Sequence, residues 1–247
     1  MACEPDAGRE ELIAQIMCGD VSFNDQTVRD PKESVPEDSI ITYRESGFVG
    51  RGGIKLDHAL GLWDVEVSGK VVLDAGASTG GFTHALLLRG ASVVHAVDVG
   101  YNQLAYTLRV DPRVVVHERT NVGELTALSP IPHFAVADLS FRSLSGVAAH
   151  LLALTSEGWA IVLLKPQFEW RNPGLEFDGR VPEDAVDRIV RDTVEHLSRE
   201  GVFAHAITES PIRGADGNRE FLVLVRAYEL NAFLPSGSPM KIPSPPT

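Results

Sequence analysis

Residues 70–83 read Lys-Val-Val-Leu-Asp-Ala-Gly-Ala-Ser-Thr-Gly-Gly-Phe-Thr. Asp74 closes a short β-rich run. A turn holding Gly76, Ser78, Thr79, Gly80 and Gly81 follows, and Phe82 to Arg89 reads as a helix. Strand, glycine turn, helix is the opening of a nucleotide-binding α/β unit, because glycines let the backbone pass close to a ligand without a Cβ clash. A glycine-rich loop with no ligand gives the same pattern, so the next stretch matters. Ser92 to Val97 is a second strand ending in Asp98, about 20 residues past the turn, where a carboxylate can accept hydrogen bonds from a ribose. The turn lacks both the Gly-x-Gly-x-x-Gly order and a Lys-Ser/Thr phosphate cradle. An acid just before the turn suits a ligand with a ribose and a cationic or amino-acid part, not a pyrophosphate. Together these features point to S-adenosylmethionine.

Elements of the right type are needed to bring these groups together. Gln103–Arg109 predicts a short helix, and Val114–Val116 a third strand. His133–Ala137 is a fourth strand ending at Asp138, and Leu144–Leu154 a helix. Trp159–Leu164 is a wholly apolar fifth strand, as at the centre of a parallel sheet, and ends at Lys165. Residues 170–181 form a loop long enough to act as a lid. Pro182–Glu200 is a helix opened by proline and acids. Val202–Ile207 and Glu220–Ala227 are the last strands, joined too briefly for a helical crossover, so the seventh should run antiparallel. The expected fold is a class I methyltransferase: a Rossmann-like α/β, doubly wound, seven-stranded sheet with an antiparallel last strand. Asp74, Asp98, Asp138 and Lys165 all fall at carboxyl ends of strands, where such sheets bind ligands. Ahead of this core, Arg9–Met17 predicts a helix. Strands follow at Asp20–Phe23, at Thr27-Val28 and at Ser39–Tyr43, making a small α+β segment. The expected division is 1–47, 48–230 and a proline-rich, disordered tail at 231–247.

The chain has 247 residues and an ordinary 44% of hydrophobic residues. No apolar run approaches the roughly 18 residues of a membrane span, and no signal peptide is evident. Cys3 and Cys18 form no ligand cluster, so reduced thiols, a cytoplasmic location and no metal are expected. The formal net charge is −12. Residues 1–47 hold eleven acids and four bases, a net of −7 and more than half of the excess.

The motifs Arg51-Gly-Gly-Ile-Lys-Leu, Leu-Asp-Ala-Gly-Ala-Ser-Thr-Gly-Gly-Phe-Thr, Ala-Val-Asp-Val-Gly-Tyr, Glu-Arg-Thr-Asn, Asp-Leu-Ser-Phe, Leu-Lys-Pro-Gln-Phe-Glu and Gly-Asn-Arg-Glu-Phe-Leu occur in that order over about residues 48–228. Together they resemble the TlyA (hemolysin A) branch of the FtsJ-like methyltransferases. The resemblance implies 2′-O-methylation of ribosomal RNA by a Lys-Asp-Lys-Glu tetrad, here Lys55, Asp138, Lys165 and Glu220. The implied cofactor-binding set is Asp74, Gly76, Ser78, Thr79, Gly80, Gly81, Phe82, Asp98, Val99, Asn121, Asp138 and Leu139. An alcohol is a poor nucleophile until its proton is leaving, and a lysine among positive or desolvating neighbours can take that proton. Lys165, after a buried strand, is the candidate base, with Lys55 as its electrostatic partner. Asp138 and Glu220 would orient the two ammonium groups. Two ordinary ion pairs are the plain alternative, although two of only five lysines fall on tetrad positions. Several single residues keep two readings. Ser78 and Thr79 either touch the cofactor or cap the helix, Asn121 either approaches the adenine or shapes a turn, and Phe82 is more often core than contact. Phe168 and Trp170 could line the acceptor pocket. His58, His84 and His95 read as structural.

Residues 9–43 resemble only the later part of the RNA-binding module expected at the N-terminus of this family, without its first helix, and acids stand where RNA phosphates would repel them. The sequence therefore leads to a small-molecule hydroxyl, such as that of a secondary metabolite in natural product biosynthesis, as acceptor. rRNA or a ribosomal subunit is the alternative, met by Arg51, Arg171, Arg180 and Arg213, and a basic mouth to the site would reverse that preference. A non-catalytic cofactor-binding scaffold is a third reading. A homo-oligomer is left open.

Overall fold

The computed structural model describes residues 16, 21–24, 26–28, 30–36, 38–43, 47–140, 143–170, 177–214 and 216–228. The expected helix at 9–17 lies outside them except for Ile16, and the expected tail at 231–247 lies outside them entirely. Three short strands, β1 (Val21–Phe23), β2 (Gln26–Thr27) and β3 (Ile41–Tyr43), form an antiparallel sheet in the order β2-β1-β3. Asn24 turns between the first two with φ 46°, a left-handed geometry that asparagine tolerates.

The remaining elements are α1 (Arg51–Leu62), β4 (Val71–Ala75), α2 (Gly81–Leu88), β5 (Val93–Val97), α3 (Tyr106–Arg109), β6 (Val114–His117), β7 (Phe134–Ala137), α4 (Val147–Ala153), β8 (Trp159–Leu164), α5 (Pro166–Glu169), α6 (Glu183–Arg199), β9 (Phe203–Glu209) and β10 (Phe221–Arg226). The seven long strands form one sheet in the order β6-β5-β4-β7-β8-β10-β9. Pairs β4–β5, β4–β7, β5–β6 and β7–β8 are parallel, and β10 runs antiparallel to both β8 and β9.

Alternation explains why the central strands read as unbroken apolar runs. Val72, Val136, Ile161, Leu163 and Leu222 face one hydrophobic cluster, which α1 and α2 cover with Leu56, Leu60, Phe82 and Leu86. Their neighbours Leu73, Ala135, Val162, Leu164 and Val223 face a second cluster, covered by α4 and α6 with Leu151, Val186 and Leu197. A strand covered on both faces has no polar side to show. The helix α6 shows the opposite pattern. Ala185, Val186, Ile189, Thr193 and Leu197 are buried along one stripe, and the rest of the helix meets solvent. Glu183 and Asp184 in its first turn suit the positive end of its dipole.

Helix α1 begins at Arg51 and runs through Gly52 and Gly53. Two glycines in a row argue against helix, but packing overrides propensity here. A Cβ on Gly53 would run into the Phe48 ring, and one on Gly81 would sit 2.8 Å from Gly53 N. The glycines let α1 and α2 touch backbone to backbone, and Lys55 sits within α1. Among the described residues no helix is long and apolar enough to cross a membrane.

Candidate active site

At the carboxyl ends of the central strands lies a cavity of about 270 Å³. Arg51, Gly52 and Lys55 of α1 line one side, and Gly76 to Thr79 with Gly81 and Phe82 line the floor. Asp138, Ser140, Lys165 and Arg213 complete it.

The four expected tetrad residues meet as two ion pairs. Lys55 Nζ donates to Glu220 Oε2 at 2.6 Å, and Lys165 Nζ lies 2.6 Å from Asp138 Oδ1. Side-chain exposures are 10% and 4% in the first pair and 10% and 24% in the second, so both lysines are largely withdrawn from water. Burial pushes the Asp138 carboxyl up, but Lys165 and then Lys55 outweigh it and hold the group below its ordinary value. Asp138 is thus held as an anion, paired with Lys165 and within reach of the Lys55 charge. Pro166 directly after Lys165 opens α5, a position where its missing N–H costs nothing, and fixes the turn that carries Lys165 out of β8. Gly214 packs against the other pair so closely that a Cβ there would lie 2.5 Å from Glu220 Oε1.

The turn after β4 is built for close approach. Gly76 has φ +82°, and a Cβ on it would collide with the Asp138 carbonyl oxygen and stand 3.2 Å from Leu139 Cδ2. Gly76 N and Ala77 N both donate to Val97 O, at 2.8 and 3.1 Å. Gly80 has φ +102° and turns its open side to Leu104 and Leu108, so its role is packing and turn geometry. The residue at the start of α2 is Gly80, which has no side chain to cap with, and Ser78 and Thr79 line the cavity.

Asp98 holds the next turn: Oδ2 accepts from Ser78 N at 2.8 Å and Oδ1 from Gly100 N at 2.7 Å. Each oxygen keeps a second lone pair. Val99 beside it is 72% exposed. Asp74 is fully buried, with Oδ2 accepting from Thr83 Oγ1 at 2.6 Å and Oδ1 without any partner. Burial pushes its carboxyl up to about 7 against the opposing Thr83 hydrogen bond, and Asp138 and Asp98 add to the rise. Of these three acids only Asp138 lines the cavity, and its carboxylate is the group there that favours a cation.

Asp74, Gly80, Asp98, Val99, Asn121, Leu139 and Glu220 do not line the cavity. Asn121 is engaged in shaping a turn: Oδ1 accepts from Gly123 N at 3.1 Å and Nδ2 donates to Glu124. Phe168 stands beside Lys165, its ring centre 5.6 Å from Nζ, whereas Trp170 lines a separate groove against α6. His84 Nδ1 accepts from Val49 N, and the buried His95 contacts His117 and Pro130 O, both structural arrangements. Arg51 and Arg213 sit at the cavity and are joined by an Arg51 Nη2 to Arg213 O hydrogen bond of 2.5 Å. Arg180 is exposed on the 177–182 segment, and Arg171 lies outside the described residues. Gly52, Ala77 and Ser140 are lining residues to which the sequence gives no role, and of these only Ser140 carries a polar side chain. For Ser140, the one signal was its place in Asp-Leu-Ser-Phe.

A turn at Gly76 that has no room for a Cβ, a carboxylate with spare lone pairs at Asp98 and the Asp138 carboxylate in the lining fit a cationic ligand with a ribose. With this sheet order they define a class I, S-adenosylmethionine-dependent methyltransferase. The family model described as FtsJ-like methyltransferase matches residues 48–227. The chain belongs to that family, in its TlyA (hemolysin A) branch. It is 39% identical to "Putative rRNA methyltransferase YqxC" of Bacillus subtilis, over 87% of this chain and 79% of that protein. It is 38% identical to "16S/23S rRNA (cytidine-2'-O)-methyltransferase TlyA" of Mycobacterium tuberculosis, over 93% and 88%. Among solved structures it resembles "Putative hemolysin from Streptococcus thermophilus", with TM-score 0.72 and 32% identity over 89% of this chain and 82% of that one.

Proposed function

We propose that the chain methylates a ribose 2′-hydroxyl of ribosomal RNA. The observation that carries this reading is the pair Arg51 and Arg213, which line the same cavity as Lys55, Asp138 and Lys165. Two guanidinium groups beside the reacting centre suit the phosphates that flank a target ribose. The names of the Bacillus and Mycobacterium relatives support it from a second direction. The small-molecule reading rested on the acid excess of residues 1–47, and no residue of that segment lines the cavity among the described residues. Nothing else favours a small-molecule acceptor, and a role in natural product biosynthesis has no support.

S-adenosylmethionine, when bound, supplies an electrophilic methyl group on a positively charged sulfur. Gly76, Ser78, Thr79, Gly81 and Phe82 would hold it against the turn. Asp98, flanked by Val99, would receive its ribose, and the Asp138 carboxylate in the cavity lining favours its positive charge. Gly80 and Leu139 shape that wall, and Asn121 supports the neighbouring turn. Methyl transfer needs oxygen, methyl and sulfur in line, which is a positioning task. Lys165 Nζ receives the hydroxyl proton as the oxygen–methyl bond forms. Asp138 holds Lys165 in place, and Glu220 holds Lys55 where its charge steadies the oxygen as it gains negative character.

The test is binding to purified 30S and 50S subunits across a salt series, with Arg51→Ala and Arg213→Ala beside the wild type. Each variant should bind more weakly and lower the slope of log K against log salt by about 0.7–0.9, as expected for one lost phosphate contact. Unchanged slopes in both would remove the basic mouth from the argument.

A further inference from the structure

Lys165 has a second contact that the tetrad does not explain. Its Nζ donates to Ser140 Oγ at 3.2 Å, in addition to the ion pair with Asp138. Ser140 is exposed, lies outside both hydrophobic clusters and lines the cavity. An exposed serine with no packing duty, aimed at the amine of the candidate base, calls for a reason.

The reason follows from counting donors. An ammonium has three N–H donors and a neutral amine has two N–H groups and one lone pair. Lys165 must be neutral to receive a proton. Its two N–H groups are then directed to Asp138 Oδ1 and Ser140 Oγ, and the lone pair is left with the one remaining tetrahedral direction. With Asp138 alone the amine could rotate about its Cε–Nζ bond and sweep the lone pair away from the hydroxyl. A second acceptor removes that freedom.

We propose that Ser140 is a positioning residue that fixes the direction of the Lys165 lone pair for the methyl transfer. This rests on the reading of Lys165 as base given above. The proton balance is simple. The acceptor oxygen bonds to the methyl carbon as its O–H bond breaks, the proton passes to Nζ, and the methyl–sulfur bonding pair stays on sulfur. Ser140 gives up no atom and only accepts the hydrogen bond.

The experiment measures single-turnover methylation of 30S and 50S subunits prepared from cells lacking the enzyme. Wild type, Ser140→Ala, Ser140→Thr and Lys165→Met are compared, with cofactor affinity measured by calorimetry. Ser140→Ala should lower kcat by about twofold to tenfold, the range for losing one hydrogen bond between neutral groups, with KM for the subunit and cofactor affinity unchanged. Ser140→Thr keeps the Oγ acceptor and should restore most of the rate. Wild-type kcat in Ser140→Ala, with Lys165→Met inactive, would overturn the role of Ser140 alone. A fall in Ser140→Ala that appears in KM or cofactor affinity instead would also overturn it. Turnover in Lys165→Met would overturn the base assignment and this inference with it.

Discussion

Replacing Glu220 with alanine strands an ammonium. Lys55 sits in α1 with only 8% of its surface exposed, and its Nζ meets Glu220 Oε2 at 2.6 Å. Removing one member of a buried ion pair costs about 3–5 kcal/mol, because the remaining charge loses both water and its partner. Asp138 is close enough to Lys55 to feel its charge and offers partial compensation, so a cost of about 3 kcal/mol, at the low end of that range, is expected. The cavity left where the carboxylate met Gly214 adds to it. Lys55→Met combined with Glu220→Leu removes both charges and keeps apolar volume. Such a replacement is expected to recover stability to within about 1 kcal/mol of wild type or to exceed it. Urea unfolding followed by tryptophan fluorescence gives the stabilities, and single-turnover methylation gives the activities. The single variant should be unstable and inactive, and the double variant stable and inactive. A double variant that is stable and still active would refute the argument, since the Lys55–Glu220 pair would then serve the fold and not the reaction.

Two further substitutions probe the turn after β4. Asp74 carries a carboxyl that titrates at about 7 in the fold against 3.8 for the free group. A raised carboxyl pKa gives stability that is full below about pH 4 and is lost as pH rises through about 7. Asp74→Asn, always neutral, should therefore gain stability relative to wild type as pH climbs from 5 to 8, read as a widening difference in urea midpoints, and a pH-independent difference would contradict it. Gly76→Ala places a Cβ against the Asp138 carbonyl and on a left-handed backbone at φ +82°. Strain of about 1–2 kcal/mol and a forced shift of the Asp138 segment follow, so cofactor affinity measured by calorimetry should fall at least tenfold. Unchanged affinity would mean that the cradle is not at Gly76.

Much of the fold could be read directly because burial writes itself into composition. Trp159–Leu164 is apolar at every position and was delimited to the residue, as expected for a strand covered on both faces. The α6 helix and the antiparallel β10 were equally legible, one from the proline and acids that open it and the other from a connection too short for a crossover. The start of α1 was not, because Gly52 and Gly53 carry poor helix propensity and only the partner surface of Gly81 and Phe48 reveals why they are there. In the site, the acids at strand ends followed from topology. Lys55 and Glu220 did not, since 165 positions separate them and only family motifs linked them before the structure joined them at 2.6 Å. Asn121 read equally well as a ligand contact or a turn residue, and its hydrogen bonds to Gly123 and Glu124 give it turn work. The preference for a small-molecule acceptor came from the acid excess of residues 1–47, a segment of which no described residue lines the cavity. A total of −12 says little about the charge beside one cavity, where Arg51 and Arg213 stand.

The most direct test of the central claim is methyl incorporation from labelled S-adenosylmethionine into 30S and 50S subunits from cells lacking the enzyme, followed by nuclease mapping of the modified nucleotide. Label on a ribose 2′-oxygen at a defined nucleotide is the predicted result. No label in either subunit, from protein that binds the cofactor normally, would contradict the rRNA assignment.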